Sequence, residues 1–439
     1  MTANRRPRCV VLGLDGLPYS LASALARSGR CPNLATLLDS GRSFPIRAEL
    51  PELSPVNWTS LFTAAGPETH GIFGFTRIDP RSYHIGLSDA RHVQCPTLWD
   101  RLGDRGLNSR IINLPNTFPA RALKGMLISG FPAPALKEAV FPGFLLSRLQ
   151  AEGYRLEADT SRGGSDPGYL LRELRATLEA RAKALDLFWP DLAWDLFVLV
   201  LTETDRLGHF LFPALIDASD PWHEPCLALL ARWDRLIGEV LERWAALPEP
   251  KRLLILADHG FTDLISEVDL NTWLSRQGLL SLTKPPRHEL DSTAISPGTR
   301  AFALDPGRIY LHTRERFARG CLEVAEAADL RAMIRDGLMA LRDEDGQPVM
   351  EAIHCGEDLY PGSQDPQRPD LVCVARPGFD LKAKFDRDRI FGFYGRRGTH
   401  RPEDVFCYDS VGLNIERVRE VGGAVLNFFE APGLVGTNF

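Results

Sequence analysis

Residues 253–258 read Leu-Leu-Ile-Leu-Ala-Asp, an apolar run that stops at the carboxylate of Asp258. Short apolar runs of this kind, separated by helical stretches, are typical of parallel strands buried on both faces of a sheet. Two further runs end in the same way: Val10–Leu14 at Asp15, and Leu196–Leu201, through Thr202–Thr204, at Asp205. Ligands of such sheets lie beyond the carboxyl ends of the strands, so we expect these three carboxylates to meet at one edge of one sheet.

Helical patterns alternate with these strands. Apolar residues recur at helical spacing in Leu170–Leu187 and Cys226–Trp244, which precede the second and third strands. This alternation predicts an α/β fold with a doubly wound, mostly parallel sheet. Beyond Thr262 short strand-like pieces surround a single helix, a pattern that favours an α+β insertion placed to cap the site. The predicted domains are a core in 1–261, an inserted α+β cap in 262–384, and a core return segment in 385–439.

The composition is that of an ordinary globular protein. The chain has 439 residues, 44% of them hydrophobic, which is enough for one large core and a smaller second unit. A formal net charge of -6 provides no broad basic surface, so we expect no stable nucleic-acid complex. A small phosphorylated substrate is compatible with this charge, because bound cations invert the local field. The eight cysteines form no CxxC pair, which favours buried thiols over a disulfide framework or a zinc knuckle.

Targeting signals are weak in this sequence. No apolar run approaches the length of a membrane span. The run Val10–Leu14 is too short for the apolar region of a secretory leader and ends at Asp15. We therefore expect a cytoplasmic protein with no membrane span. Nothing in the sequence specifies an oligomeric state.

Histidines accompany two of the three carboxylates. His209 follows Asp205 by four residues, which places both side chains on one helical face, and His259 follows Asp258 directly. Taken singly, each has an ordinary explanation, such as a helix N-cap or a solvated helix face. Three carboxylates and three imidazoles together are what two closely spaced divalent ions require. The candidate ligands are Asp15, Asp205, Asp258, His209, His259 and His400, and they indicate a two-metal hydrolase.

The segment Pro51–Thr63 supplies candidate nucleophiles. Ser54 precedes Pro55, which is tolerated in the first turn of a helix, so the Ser54 hydroxyl is expected at a helix N-terminus, where negative charge is favoured. A simple N-capping role for Ser54 fits the local sequence equally well. Thr59 is a competing nucleophile, but it falls inside the predicted helix, where its hydroxyl tends to bond to the backbone.

Five motifs resemble, in order, the metal and nucleophile motifs of the alkaline phosphatase superfamily. They are Asp15, the segment from Ser54 to Ile72, Thr204–His209, Ala257–Gly260 and Gly398–His400. The chain is most similar to the type I phosphodiesterase and nucleotide pyrophosphatase branch, from Val10 to His400. The resemblance implies an alkaline phosphatase-like fold and two divalent metal ions, with Zn²⁺ expected and Mn²⁺ as an alternative.

Carried onto this chain, the resemblance assigns roles to individual residues. Ser54 would act both as the nucleophile and as a metal ligand, and Asn57 would donate to a phosphoryl oxygen. Ser54 stands where Thr is usual in the branch, and Ala64 stands where Gly is usual, a change expected only to adjust packing. The two ions would be held by Asp205, His209 and His400 in one case and by Asp15, Asp258 and His259 in the other.

These assignments predict hydrolysis of a phosphodiester or a nucleotide pyrophosphate through a covalent phosphoseryl intermediate. The expected partner is a small phosphorylated substrate, a nucleotide being one candidate. Neutral residues near Ser54, namely Asn57, Trp58, Phe73 and Phe75, favour a diester. Ser54 is also usual in phosphomonoesterases, so a phosphomonoesterase or mutase of the superfamily is the first alternative. A catalytically inactive binding protein on the same fold is the second. Sulfate-ester hydrolysis is disfavoured, because Trp58 occupies the place of the arginine in sulfatases.

Overall fold

A computed structural model of the chain describes residues 6–412 and 415–431. The strands, in chain order, are β1 (Arg8–Leu14), β2 (Ser43–Ile46), β3 (Thr76–Ile78), β4 (Ile85–Leu87), β5 (Ser109–Leu114), β6 (Gly125–Ser129), β7 (Val140–Phe141), β8 (Leu196–Leu201), β9 (Lys251–Leu256), β10 (Gly260–Asp263), β11 (Ser266–Asp269), β12 (Ala301–Leu304), β13 (Arg308–Leu311), β14 (Met350–Cys355), β15 (Leu371–Ala375), β16 (Phe379–Lys382), β17 (Phe391–Gly392), β18 (Gly398–Arg401) and β19 (Val405–Asp409). The α-helices are α1 (Tyr19–Arg27), α2 (Pro32–Asp39), α3 (Ser54–Thr63), α4 (Pro67–His70), α5 (Leu98–Asp104), α6 (Leu145–Ala151), α7 (Pro167–Phe188), α8 (Glu203–Ile216), α9 (His223–Ala245), α10 (Leu270–Arg276), α11 (Val324–Met339), α12 (Gly356–Leu359) and α13 (Val418–Glu430).

The chain divides into two compact units. The core unit comprises the described parts of Met1–Ala65, Asp89–Phe261 and His400–Phe439, and the insert unit comprises Gly66–Ser88 and Thr262–Thr399. The sequence-based boundaries differ from this division in two respects: they end the insertion at residue 384, and they leave 66–88 in the core. Segment 66–88 belongs to the insert unit because the buried Arg308 guanidinium donates to the Thr76 carbonyl and hydroxyl oxygens, each at 2.9 Å. The capping role of the insertion stays a prediction.

The core unit is built on a large mixed sheet. Its strand order over the described residues is β2-β19-β9-β1-β8-β5-β6-β7. Strands β9, β1, β8, β5 and β6 run parallel, whereas β19, next to β9, and β7, next to β6, run antiparallel. Every residue of β8 is buried, so both faces of the sheet are covered there, as in doubly wound proteins. The predicted α/β class with a mostly parallel sheet is confirmed.

The register of the central strands sets the position of the three aspartates. Leu14 of β1 pairs with Leu201 of β8, and Gly13 pairs with Leu256 of β9, so the three strands end at the same level. Asp15 follows β1 directly, Asp258 lies just beyond β9, and Asp205 lies in the first turn of α8, which follows β8. The three carboxylates are therefore at one edge of one sheet, as the apolar runs predict.

The insert unit has its own apolar core and its own sheets. One has the order β12-β13-β15-β14, with antiparallel neighbours, another has the order β16-β11-β17, and β3 and β4 form a hairpin. Helix α11 contributes Leu330, Ile334 and Leu338 to this core. The insert unit is thus α+β in character. Within the described residues, no helix combines the length and the apolar character needed to cross a bilayer.

Candidate metal centre and nucleophile

Two histidines surround the Asp205 carboxylate in the core unit. Asp205 Oδ1 lies 3.3 Å from His400 Nε2 and 3.4 Å from His209 Nε2. The two Nε2 atoms are 3.1 Å apart. Ligand atoms of a tetrahedral zinc site, with bonds of about 2.0–2.1 Å, are separated by about 3.3–3.4 Å. These three side chains therefore have the spacing of ligands around one ion.

A second group of side chains contains the proposed nucleophile. His259 Nε2 lies 3.5 Å from Asp258 Oδ2 and 3.7 Å from Asp15 Oδ1. Ser54 Oγ lies 3.4 Å from His259 Nε2 and 3.5 Å from Asp15 Oδ1. These separations again suit oxygen and nitrogen atoms that share a cation, with a hydroxyl among them.

His259 joins the two groups into one cluster. Its Nε2 also lies 3.6 Å from Asp205 Oδ1, and its ring stacks on that of His400 with a centroid distance of 3.6 Å. Among the residues that the structure describes, side chains close enough to share an ion form two sets, Asp205–His259–His400 and Asp15–Asp258–His259. The geometry thus shares His259 between the sets, whereas the resemblance gives it to one ion. The cluster brings together all seven predicted ligands, namely Asp15, Ser54, Asp205, His209, Asp258, His259 and His400.

The hydrogen bonds of two imidazoles define which ring nitrogen is available to bind a metal ion. His400 Nδ1 lies 2.9 Å from the Glu52 carbonyl oxygen, and His259 Nδ1 lies 3.1 Å from the Gly260 carbonyl oxygen. A carbonyl oxygen only accepts, so Nδ1 carries the proton and Nε2 of the neutral ring has a free lone pair. These lone pairs face buried carboxylate oxygens, Asp205 Oδ1 and Asp258 Oδ2, that accept no well-formed hydrogen bond from the described residues. A cation between them would be bound by the imidazole lone pairs and by the carboxylate oxygens, so these residues fit divalent metal ions.

The carboxylates of the cluster have opposite electrostatic surroundings. Burial and two neighbouring carboxylates raise the pKa of Asp15 well above its ordinary range. Burial acts on Asp205 in the same direction, but two histidines and Arg206 hold the pKa of Asp205 well below its ordinary range. Burial, followed by the charge of His259, lowers the pKa of His400 and favours its neutral ring. A neutral imidazole is the form that binds a metal, and a nearby cation would favour the ionised form of Asp15.

Ser54 is the first residue of α3, and its hydroxyl does not cap the helix. Leu53 occupies the N-cap position, and no side chain makes a capping hydrogen bond there. Ser54 is 5% exposed. Of the two interpretations of the sequence, simple capping is therefore not observed, and the hydroxyl lies at the helix N-terminus beside Asp15 and His259.

Asn57 and Thr59, the other polar candidates on α3, are engaged elsewhere. The Asn57 carboxamide accepts from the Glu49 backbone N–H at 2.7 Å and donates to the carbonyl oxygens of Glu49 and Leu53 at 3.2 and 3.1 Å. It fixes the segment that leads to Ser54, and its donation to a phosphoryl oxygen stays a prediction. Thr59 is fully buried and accepts a hydrogen bond from Asn116 at 2.9 Å.

Trp58 and Ala64 have structural roles that differ from expectation. Trp58 is fully buried against β1, where a Cβ on Gly13 would lie 2.5 Å from its ring, so it provides no exposed surface beside Ser54. The sequence argument for a diester from a neutral aromatic surround therefore fails for this residue. Ala64 ends α3 with φ of 53°, a left-handed conformation that favours glycine. The replacement of Gly by Ala at this position thus adds backbone strain.

Three contributors to the cluster were not predicted. Arg206 donates to Asp205 and, at 3.2 Å, to Glu157 Oε2. Gly16 has φ of +67°, donates its N–H to Asp258 Oδ1 at 3.1 Å, and approaches Asp205 so closely that a Cβ would lie 3.1 Å from it. Both residues follow a predicted ligand directly, which is a usable signal. The Glu52 carbonyl oxygen left no signal, because any residue supplies a backbone carbonyl.

The sequence matches the family model described as type I phosphodiesterase / nucleotide pyrophosphatase over residues 9–402. The chain belongs to this family. A comparison with curated proteins found no match. The match to the family confirms the resemblance and gives the reaction class, a metal-dependent phosphoesterase of the phosphodiesterase and pyrophosphatase type.

Solved structures place this family member in the alkaline phosphatase-like fold. Phosphonoacetate hydrolase from Sinorhizobium meliloti 1021, in complex with phosphonoformate, is 15% identical with a TM-score of 0.64, and the match covers 98% of this chain and 96% of that chain. An inactive variant of murine ectonucleotide pyrophosphatase / phosphodiesterase 5, in complex with AMP, is 13% identical with a TM-score of 0.55, covering 99% and 98%. At such identities the likeness establishes the fold, and the substrate must be argued from the site.

Proposed function

We propose that this protein is a two-metal phosphodiesterase or nucleotide pyrophosphatase that works through a phosphoseryl intermediate on Ser54. The observation that carries the proposal is the position of Ser54 Oγ, 3.5 Å from Asp15 Oδ1 and 3.4 Å from His259 Nε2. A hydroxyl at that distance from a carboxylate and an imidazole can share their cation, which is how a serine is activated in the absence of a general base.

The cluster divides the chemical work between binding and attack. Asp205, His209 and His400 would hold one divalent ion, and Asp15, Asp258 and His259 the other. Such ions, when bound, lower the pKa of a hydroxyl and offset charge on the phosphoryl oxygens. Ser54 Oγ, having lost its proton to solvent, bonds to phosphorus as the bond to the leaving oxygen breaks in line, and the leaving oxygen takes up a proton. A water then attacks the phosphorus of the phosphoserine, the bond between Ser54 Oγ and phosphorus breaks, and Ser54 regains its proton as a phosphomonoester leaves.

The donor set also supports the choice of metal. Imidazole nitrogens and carboxylate oxygens at these spacings suit tetrahedral Zn²⁺, so zinc is the proposed ion at both positions. Manganese is the alternative, because carboxylate oxygens also suit Mn²⁺. Elemental analysis of active protein is expected to find two ions per chain, and one ion or none would contradict the two-metal mechanism.

The charge of the cluster favours a diester over a monoester. Three ionised carboxylates offset all but one of the positive charges of two divalent ions, and a diester carries one negative charge, whereas a monoester dianion carries two. Arg206, the arginine beside the cluster, is already paired with Asp205 and Glu157. It therefore offers little charge for a second phosphoryl anion.

The test is a matched pair of aryl phosphate mono- and diesters, together with a dinucleotide and phosphonoacetate, under identical zinc or manganese loading. We expect kcat/KM to favour the diester by about tenfold, which requires about 1.4 kcal/mol of differential transition-state binding. Faster monoester cleavage would support the phosphomonoesterase or mutase alternative. Protein that holds two ions and hydrolyses none of these compounds would support the binding-protein alternative.

Cytoplasmic location is a separate proposal. All eight cysteines are free thiols, the state that a reducing compartment maintains. Fractionation of cells that produce the protein tests this, and recovery from the secreted fraction would contradict it.

A further inference from the structure

Phe261 is a buried aromatic residue that contacts every imidazole of the candidate metal centre. Its ring centroid lies 5.0 Å from that of His209 and 5.0 Å from that of His400, at interplanar angles of 76° and 64°. The His259 ring lies 5.8 Å away at 48°. We propose that Phe261 is a positioning residue that sets the orientation of all three metal-binding imidazoles. The inference rests on the proposed function, since it concerns the same metal centre.

The imidazole planes need neighbouring side chains to fix them, because the side-chain torsion that orients an imidazole is only weakly restricted by itself. Rotation about the bond that joins an imidazole to its Cβ has broad, roughly two-fold preferences, so neighbours must select the plane. The Nδ1 hydrogen bonds of His259 and His400 select the nitrogen that faces the ion. The two near-perpendicular contacts of Phe261 have the edge-to-face geometry that aromatic rings prefer, and they restrict tilt of the imidazole plane.

Two residues of α8 hold the Phe261 ring in place. A Cβ on Gly208 would lie 2.9 Å from three ring carbons of Phe261, closer than real Cβ atoms approach, so this position requires glycine. The ring of Phe212 stacks on the ring of Phe261 at a centroid distance of 5.9 Å and an interplanar angle of 19°. Helix α8 thus carries His209 and, on either side of it in sequence, the two contacts that fix Phe261. A larger residue at Gly208 should therefore displace the Phe261 ring and thereby weaken metal binding by the imidazoles.

The test compares zinc affinity with stability in matched variants. Zinc affinity is measured by competition with a chromophoric chelator, and stability by urea unfolding of the metal-free protein. Phe261→Leu should weaken zinc binding by about 10–100-fold, the range found when partners of metal ligands are removed. Phe197→Leu is the control: Phe197 is 1% exposed and packs against Trp189 and Trp194 near the start of β8, so its loss should lower stability while zinc affinity stays within about twofold.

The coupling to Gly208 provides an independent readout. Gly208→Ala should weaken zinc binding by displacing the ring, and adding it to Phe261→Leu should cost little more, because the displaced ring is already gone. Phe261→Met, which keeps bulk without a ring, replaces Phe261→Leu if the latter does not fold. Equal zinc affinity in wild type and the Phe261 variants would overturn the inference and leave the metal centre intact. A wild-type protein that binds no ion would overturn the proposed function itself.

Discussion

Both units of this protein bury histidines, but the ring nitrogens meet different partners. In the insert unit, His312 is fully buried, with Nε2 2.6 Å from the Tyr83 hydroxyl and Nδ1 2.8 Å from the Thr299 carbonyl oxygen. In the core unit, His259 and His400 each use Nδ1 on a carbonyl oxygen and direct Nε2 at carboxylates. Burial alone therefore does not distinguish a structural histidine from a metal ligand. The partner of the second nitrogen does.

The same contrast appears within one helix. Thr59 and Ser54 both lie on α3 and are both buried, yet the Thr59 hydroxyl accepts from the Asn116 amide, whereas the Ser54 hydroxyl lies at 3.4–3.5 Å from His259 and Asp15. A hydroxyl with a neutral amide partner stabilises the fold. A hydroxyl at the edge of a carboxylate and imidazole cluster is available for chemistry once cations are bound.

The largest expected effect is on Ser54. Ser54→Ala removes the attacking oxygen, so hydrolysis should fall by more than about 10³-fold. The zinc content should stay near the wild-type value, because the carboxylate and imidazole ligands remain. Ser54→Thr is the matched variant and should retain part of the activity, since it keeps a hydroxyl. Normal turnover by Ser54→Ala would show that the Ser54 hydroxyl, like that of Thr59, has no part in the attack on phosphorus.

The second prediction sets His259 against His312. His259→Gln should lower kcat/KM by at least about 100-fold and reduce bound metal, because a direct ligand is lost. His312→Gln should leave metal content and turnover near wild type while lowering the free energy of unfolding by about 1–3 kcal/mol, since buried hydrogen bonds of the insert unit are lost. Metal analysis, steady-state kinetics and urea unfolding of both variants make the comparison. Loss of metal in the His312 variant would contradict the distinction between His259 as a metal ligand and His312 as a structural histidine.

The sequence predicted the sheet and the clustering of the candidate ligands because both depend on local patterns. Apolar runs that end in aspartate fix a strand and its edge together, and parallel register then gathers Asp15, Asp205 and Asp258. The role of Asn57 depends on the backbone of Glu49, which approaches only in the folded chain. Tertiary contacts of this kind have no sequence periodicity, and they also account for the assignment of segment 66–88 to the insert unit.

The third prediction concerns pH and the metal-free protein. Burial lowers the pKa of His312 below its usual 6.5, so its contribution to stability is present above about pH 6.5 and is lost as pH falls through the folded pKa. Burial and neighbouring carboxylates raise the pKa of Asp15 above 3.8, so its contribution is present below about pH 3.8 and is lost as pH rises through the folded pKa. The contributions of Asp15 and His312 should thus respond to acid with opposite sign.

Urea unfolding of chelated protein from pH 7 to pH 5 checks this. His312→Gln should remove part of the stability loss on acidification, and Asp15→Asn should remove part of the gain. Each proton linked to unfolding changes the slope by at most about 1.4 kcal/mol per pH unit. Wild-type slopes in both variants would mean that neither group takes up a proton linked to unfolding in this pH range.

The smallest effect is expected at Thr59, whose variants test whether its hydroxyl is structural in contrast to that of Ser54. Thr59→Ala leaves the Asn116 amide without its 2.9 Å acceptor, so the free energy of unfolding should fall by about 1–2 kcal/mol. Thr59→Ser keeps the acceptor and should lose less. Because the hydroxyl has no role in attack, kcat/KM of both variants should stay within about twofold of wild type. If Thr59→Ala is inactive while Ser54→Ala turns over, the satisfied hydroxyl is the nucleophile, and hydrogen-bond satisfaction does not separate structural groups from reactive ones in this protein.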